Sequence, residues 1–255
     1  MSIRVRSLQG IAAVRWFHDG DGDAMFIGHF GVGFGAKAVA PHASLGTLFL
    51  AAQFIDLLWP TLLQVGVEQV RIEPGITRVT PLDFVHYPIS HSLLAVIGWG
   101  VLFAAVYLFL RRYPRGAIVL GLAVVSHWLL DLVVHRSDLP LYPGSTELLG
   151  LGLWSSVGAT LAVELPVFVA GVWLYVRTTE ALDAVGRWGF WSLVGLLVVI
   201  YFSNLFGDPP PSVAVLAWVG QAQWLLIAWG YWVDRHRRVV IRGNLSSMTP
   251  SASHK

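Results

Sequence analysis

Apolar residues run along this chain in blocks, not in the mixed pattern of half-buried surface elements. Six blocks, 45–64, 91–110, 116–134, 153–176, 188–207 and 212–233, each reach about the 20 mostly apolar residues that a membrane-crossing helix needs. Three of them, 91–110, 188–207 and 212–233, contain no Asp, Glu, Lys or Arg. A seventh stretch, 25–40, is shorter and rich in Gly and Ala, and it stops at Pro41 before a turn over 41–44. The pattern predicts an all-α, polytopic integral membrane bundle of six long spans plus a short Gly-rich leading helix. Four segments follow: a polar extension over 1–24, a membrane-embedded unit over 25–145, a three-span unit over 146–234, and a basic tail over 235–255.

Composition agrees. Of 255 residues, 55% are hydrophobic and 13% charged, where an ordinary soluble domain has about a quarter charged. That excludes a disordered chain, a nucleic-acid-binding domain and a typical cytosolic enzyme. The net charge is only +2, so position matters more than amount. Arg111, Arg112, Arg115, Arg177, Arg187, Arg235, Arg237, Arg238 and Arg242 all fall on one side if every span crosses, and basic short loops mark the cytoplasmic face. Loops 65–90, 135–152 and 208–211 then face outward with Arg71, Arg78 and Arg136 against Glu68, Glu73, Asp83, Asp138, Glu147 and Asp208. Trp59, Trp154, Trp188 and Trp232 sit near span ends, as an aromatic belt requires. Residues 1–24 carry no long apolar run before a small-residue cleavage site, so they read as an extension or as sequence upstream of a start at Met25, not as a signal peptide.

Ionisable groups inside spans are costly, about 2.5–3.5 kcal/mol each on insertion scales, and are therefore functional candidates. Asp56, His91, His127, Asp131 and Glu164 lie in the long spans and His29 in the leading helix. His29 precedes Pro41 by twelve residues, Asp56 follows Ser44 by twelve, and His127 follows Arg115 by twelve. At 1.5 Å per residue all three lie ~18 Å from the cytoplasmic side, provided the leading helix enters from outside. Asp131 and His135 continue the His127 face toward the outside, and His86 and His91 flank the outer mouth of the second span.

Imidazole and carboxylate without thiolate suit Zn, Mn or Fe, and the absence of cysteine excludes disulfides, thiolate zinc sites and a cysteine nucleophile. The i, i+4 spacing of His127 and Asp131 lets both touch one ion. Seven such groups exceed one catalytic tetrahedral site, so two divalent ions about 3.5–4 Å apart, bridged by a carboxylate, would use them better. Asp56 or Asp131 would orient a metal-activated water or bridge the ions. Glu164, two residues before Pro166, reads either as a general acid or extra ligand at a kinked span, or as an interhelical hydrogen-bond partner. Asp83, Ser92 and His135 are expected to support the ligands, because ligating histidines donate their other N–H to a neighbouring group.

The stretch His86-Tyr-Pro-Ile-Ser-His91-Ser92-Leu-Leu resembles the HRGxTHSLL signature of the YdjM-type, LexA-regulated inner-membrane metal-dependent hydrolases. Ser126-His127-Trp-Leu-Leu-Asp131, followed by Leu139-Pro-Leu-Tyr-Pro-Gly144, is similar to that family's HxxxD segment and Pro/Gly turn, and Gly28-His29 and Asp56 match its earlier positions. Tyr87-Pro88 stands where the family has Arg-Gly, Ser90 where it has Thr, and Asp56 alone where it has an acidic pair. The family's pattern is itself similar to zinc-dependent phospholipase C. The resemblance covers roughly 25–145 and implies Asp56, His91, His127 and Asp131 as core ligands, completed by His29 and His86. It also implies a bacterial-type inner membrane; the basic tail places the C-terminus of this multi-pass chain in the cytoplasm, and a site sunk among helices near the outer headgroups suits a lipid-borne ester, a phosphoester first, as substrate among the membrane lipids.

Other signals are weaker. Gly31-Val-Gly33-Phe-Gly35 lacks the preceding strand of a dinucleotide site and reads as a small-xxx-small packing face. Asp19, Asp21 and Asp23 begin like a calcium loop, but Ala24 stands where Gly is required. Two rival functions keep the same residues: a transporter using the His/Asp cluster as a transit site, and a non-catalytic scaffold in which these groups only join helices.

Overall fold

The structure is a computed structural model describing residues 27–240; the expected extension, its acidic run and the tail beyond Val240 lie outside the described residues. The chain forms α1 (Ile27–Val39), α2 (Leu45–Ala52), α3 (Phe54–Gln64), α4 (Leu93–Arg111), α5 (Pro114–Val134), α6 (Val157–Thr178), α7 (Phe190–Phe206), α8 (Val213–Gln221) and α9 (Gln223–Arg235). Among the described residues, five helical stretches are long and apolar enough to cross a membrane: α4, α5, α6, 185–206 (a π-helical turn running into α7) and 213–235 (α8 continuing into α9). A sixth run is α2 plus α3, bent by 57° at Gln53. The outer surface of the bundle is inverted relative to a water-soluble protein, with Phe109 82%, Leu225 71%, Trp218 70% and Leu110 67% exposed. So much apolar area facing outward requires an apolar surrounding.

Local chemistry sets the helix ends. Ser44, Ser92, Ser156 and Ser212 each accept the backbone N–H three residues on, from Thr47, Ala95, Ala159 and Val215, which satisfies an otherwise orphaned first-turn donor. α4 closes on Arg112 in the left-handed conformation (φ 50°) and α5 restarts with Pro114 in its first turn, where its missing N–H costs nothing. The helix pairs meet at small residues. Gly100 and Gly121 bring the α4 and α5 backbones together, so that a Cβ on either would stand 2.9–3.0 Å from the other's carbonyl oxygen. Gly31 on α1 lies against the Phe168 backbone and Gly171 of α6, and Gly35 against Leu174 and Gly171. The glycine face expected of the leading helix is thus the surface on which α1 packs, and the two helices run parallel.

The loops hold structure that the apolar pattern does not announce. β1 (Gln69–Ile72) and β2 (Leu82–His86) form an antiparallel ladder, β3 (Leu139–Pro140) pairs with β4 (Leu148–Leu149), and β5 (Thr179–Ala181) pairs with β6 (Arg237–Val239). The chain is therefore mostly helical, with short ladders at both ends of the bundle and no closed sheet among the described residues. One end carries Arg111, Arg112, Arg115 and the β5–β6 ladder, and is called the arginine end below. There the first and last helices are tied: Lys37 Nζ donates to Asp234 (2.9 Å) and to the Ala43 carbonyl (2.9 Å), and the Tyr175 hydroxyl donates to Asp234 (3.1 Å). The opposite end carries the β1–β2 hairpin and is called the hairpin end.

Candidate metal centre

Three helices and one loop bring five of the expected residues together. His29 comes from α1, Asp56 from α3, His91 from the turn that enters α4, and His127 and Asp131 from successive turns of α5. Two overlapping groups of ligand atoms, His29/Asp56/His127 and His91/His127/Asp131, each lie within 4.8 Å of one another. His127 Nε2 stands 3.4 Å from Asp56 Oδ1 and 3.2 Å from Asp131 Oδ2; His91 Nε2 stands 3.7 and 3.8 Å from the same two oxygens. Ligand bonds of 2.0–2.1 Å in a tetrahedron give edges of about 3.3–3.4 Å; the two His127 pairings meet that spacing, the His91 pairings are wider, and Asp56 and Asp131 fall in different groups joined through His127. The His29 ring stacks on His127 at 3.7 Å, and its Nε2 is 3.2 Å from Asp131 Oδ1.

The donor set also fits a cation by what it lacks. His29 Nδ1 and Nε2, His127 Nε2 and Asp131 Oδ2 are buried, and none makes a hydrogen bond of acceptable geometry. Four orphaned polar atoms at one point in an apolar interior would cost a few kcal/mol each. Two carboxylates there add two negative charges, which a divalent cation would cancel. Exposure is uneven: the side chains of His29, His91, His127 and Asp131 are 1–4% exposed, whereas Asp56 is 20% exposed. Asp56 is the most exposed of the five.

Local structure fixes how the imidazoles point. The Ala52 carbonyl accepts His127 Nδ1–H (2.9 Å), and because a carbonyl can only accept, the Nε2 lone pair is left facing the cluster. That carbonyl is the last of α2, at the 57° break, and Gln53 beside it is fully buried. Irregular backbone inside an apolar bundle is tolerated where protein covers it, and here the break presents its carbonyl to His127. His91 is held by a relay. Glu68 accepts the Ile89 and Ser90 N–H groups (2.8 Å each) and the Ser90 hydroxyl (2.6 Å). The Ser90 oxygen, its proton given to Glu68, accepts His91 Nδ1–H at 2.7 Å. Neither Glu68 nor Ser90 was expected from the sequence. Glu68 sits in a loop, and only the folded hairpin lays it against the His91 turn. Ser90→Ala and Glu68→Gln are each expected to weaken metal affinity by roughly 10–100-fold, the usual effect of losing a ligand's supporting partner. Competition against a chelator of known affinity would measure it, and unchanged affinity in both variants would remove the relay from the site.

Four expected residues lie elsewhere. His86 is exposed at the end of β2 and does not join the ligands. Gln69 pairs with His86 but Val70 with Phe84, so Val85 is an extra residue in the ladder. Such a bulge reverses the alternation and leaves Tyr87 to turn inward in place of His86. Asp83 supports no histidine; it pairs with Arg136 and, at 4.0 Å, with Arg71. Ser92 caps α4 and donates to the Pro88 carbonyl (2.6 Å), shaping the turn without touching a ligand. Glu164 is buried on α6 but belongs to neither ligand group. His135 does meet a carboxylate, Asp138 at 2.9 Å, which also accepts from the Tyr87 hydroxyl (3.1 Å) and Arg136 Nε (3.1 Å). Burial and the Asp138 charge beside it hold the Tyr87 phenol well above its ordinary range, so it stays a hydrogen-bond donor.

Comparison with family models, with curated proteins and with solved structures found no match to the chain.

Proposed function

We propose that the protein is a membrane-embedded, metal-dependent hydrolase acting on a lipid-borne phosphoester, as its resemblance to the YdjM-type hydrolases and their phospholipase-C-like pattern implies. The observation that carries this reading is the convergence of His29, Asp56, His91, His127 and Asp131 with four orphaned polar atoms among them. In this reading α2 and α3 make the sixth crossing and α1 reaches inward to the depth of the site. The arginine end and the C-terminus face the cytoplasm of a bacterial-type inner membrane, and the site lies toward the outer face, near lipid headgroups.

A zinc ion held by Asp56, His91, His127 and Asp131, with His29 alongside, would acidify a water and polarise an ester oxygen. His91 and His127, fixed in one tautomer by Ser90 and Ala52, hold their Nε2 lone pairs ready, so little reorganisation is needed. Asp56, the most exposed of the five, is the carboxylate an incoming water meets. Its second oxygen takes the water proton as the water oxygen bonds phosphorus, and returns it to the departing alkoxide as the P–O bond breaks. The whole phosphate stays on the same side of the membrane throughout. Transit is disfavoured because Phe30, Phe34 and Phe49, all fully buried and packed edge to face, fill the bundle between His29 and the arginine end.

The test is turnover of phospholipids and phosphatidic acid by purified protein in proteoliposomes. Phosphoester cleavage is expected that stops on chelation, returns with zinc, and falls ~100-fold or more in Asp56→Asn, in line with loss of a general base. Zinc crossing the vesicle wall without any lipid cleavage would replace hydrolysis with transport.

A further inference from the structure

A groove of about 670 Å³ lies outside the metal centre, between α2, the start of α3, α4 and α9. Its walls are hydrocarbon and aromatic: Leu50, Phe54, Trp99, Phe103, Val106 and Leu110. Its character changes at the arginine end, where Arg111 and Arg235 close it beside Ser44, Thr47 and Tyr231. The last three form a hydrogen-bonded chain, Ser44 Oγ to Thr47 Oγ1 (2.8 Å) and Thr47 Oγ1 to the Tyr231 hydroxyl (2.9 Å). None of the lining side chains is acidic. Asp234, next to Arg235 in the chain, is already committed to Lys37 and Tyr175.

We infer that this groove is a binding site for one anionic phospholipid of the leaflet at the arginine end. Its phosphate lies on Arg111 and Arg235, and one acyl chain runs up the groove to Phe54 and Trp99. Three properties fit that occupant together. The two guanidiniums sit at the depth of a headgroup, because Arg111 ends α4 and Arg235 ends α9. The distance from Arg111 to Trp99 is twelve residues of helix, ~18 Å, a length an acyl chain can follow. The charge is complementary at one end only, which is the polarity of an amphiphile and not of a second apolar helix.

This lipid is not the substrate proposed above. Along α4 its phosphate is separated from the His91 turn by about 29 Å of helix, so the ester it carries cannot reach the metal ligands. The two sites nonetheless share a wall. Trp99 Nε1 donates to the Ile89 carbonyl (2.9 Å), and Ile89 N–H is held by Glu68, the carboxylate that positions Ser90 and His91. The upper end of the groove therefore braces the loop that carries a ligand, and the bound acyl chain would pack directly under it through Trp99 and Phe54, whose rings lie 5.5 Å apart.

The experiment uses the full chain in phosphatidylcholine vesicles, titrated with phosphatidylglycerol brominated on its acyl chains, or with brominated phosphatidylcholine. The signal of Trp99 is the difference in quenching between wild type and Trp99→Phe. Brominated phosphatidylglycerol is expected to quench Trp99 at a mole fraction roughly thirtyfold lower than brominated phosphatidylcholine, from about 1 kcal/mol for each of the two arginines near the headgroup. Arg111→Gln with Arg235→Gln, exposed substitutions that should leave the melting temperature unchanged, is expected to abolish that preference. Equal quenching by the two lipids, or a preference that survives the double substitution, overturns the assignment. So does protection of Trp99 from both lipids in cross-linkable dimers, which would place a second copy of the chain in the groove. None of these outcomes depends on whether the metal centre hydrolyses anything.

Discussion

Wild-type protein purified without chelator is expected to carry a bound divalent transition metal, and His127→Ala to lose it. His127 is the largest lever because it belongs to both ligand groups, touching Asp56 at 3.4 Å and Asp131 at 3.2 Å and stacking on His29. Loss of a supporting partner alone costs about 10–100-fold in affinity, so loss of this ligand should exceed ~100-fold and empty the site at ordinary metal concentrations. Elemental analysis gives the direct reading. Melting gives a second: a ligand at a thousand times its Kd adds about 4 kcal/mol, so chelation should lower the melting temperature of wild type and leave that of His127→Ala unmoved. His135→Ala is the control. Its ring is equally buried and also hydrogen-bonded, to Asp138, but it lies outside both groups, so it should lose stability and keep its metal. Metal content in His127→Ala equal to wild type would leave the cluster as a scaffold of interhelical contacts.

The second large effect is expected from a single methyl group at Gly171. A Cβ there would collide with the Gly31 carbonyl and stand 2.8 Å from its Cα, and one on Gly31 would stand 2.7 Å from the Phe168 Cα. These are backbone atoms, which no rotamer change can move aside. Overpacking in a close-packed interior costs about 1–3 kcal/mol, and Gly171→Ala should fall at or above the top of that range because two helices must separate. Since α1 carries His29, the same change should weaken metal binding at a distance from the ligands. Gly98→Ala is the comparison: nothing lies within 4 Å of its Cβ position in α4, so the gain of up to about 1 kcal/mol in helix propensity should show instead. Denaturant titration of the two variants checks both signs, and equal stabilities would mean that α1 and α6 are not packed as described.

The long helices were legible because an apolar block of about 20 residues has few alternatives to a span. Each expected block corresponds to a helix or a helix pair, and the leading Gly-rich stretch is α1. The break at Gln53 was hidden, since nothing in the run Leu48–Leu58 is polar enough to announce it except Gln53 and Asp56 themselves. Equal depth found His29, Asp56 and His127 because helical rise is nearly constant and the 41–44 turn and Arg115 lie at the same end of the bundle. Helical spacing carries no such information where the chain is not helical. One bulged residue, Val85, sends His86 outward, and no spacing rule foresees it. The sequence places Glu68 and Asp138 in outward-facing loops; both are buried, and each is bonded to the support of a histidine or to the histidine itself. Their roles depend on hairpin geometry, which the apolar pattern does not encode.

The parallel seating of α1 on α6 also sets an order of events. The partner of Gly31 is Gly171, roughly 140 residues later, and synthesis at ~5–20 residues per second takes roughly 7–30 s to cover that interval. Until then the helix bearing His29 has no partner on that face, while Asp56, His91, His127 and Asp131 can already meet. A nascent chain would thus hold four ligands before the fifth is fixed, and metal captured early would sit in a softer, more exchangeable cage than metal in the finished protein.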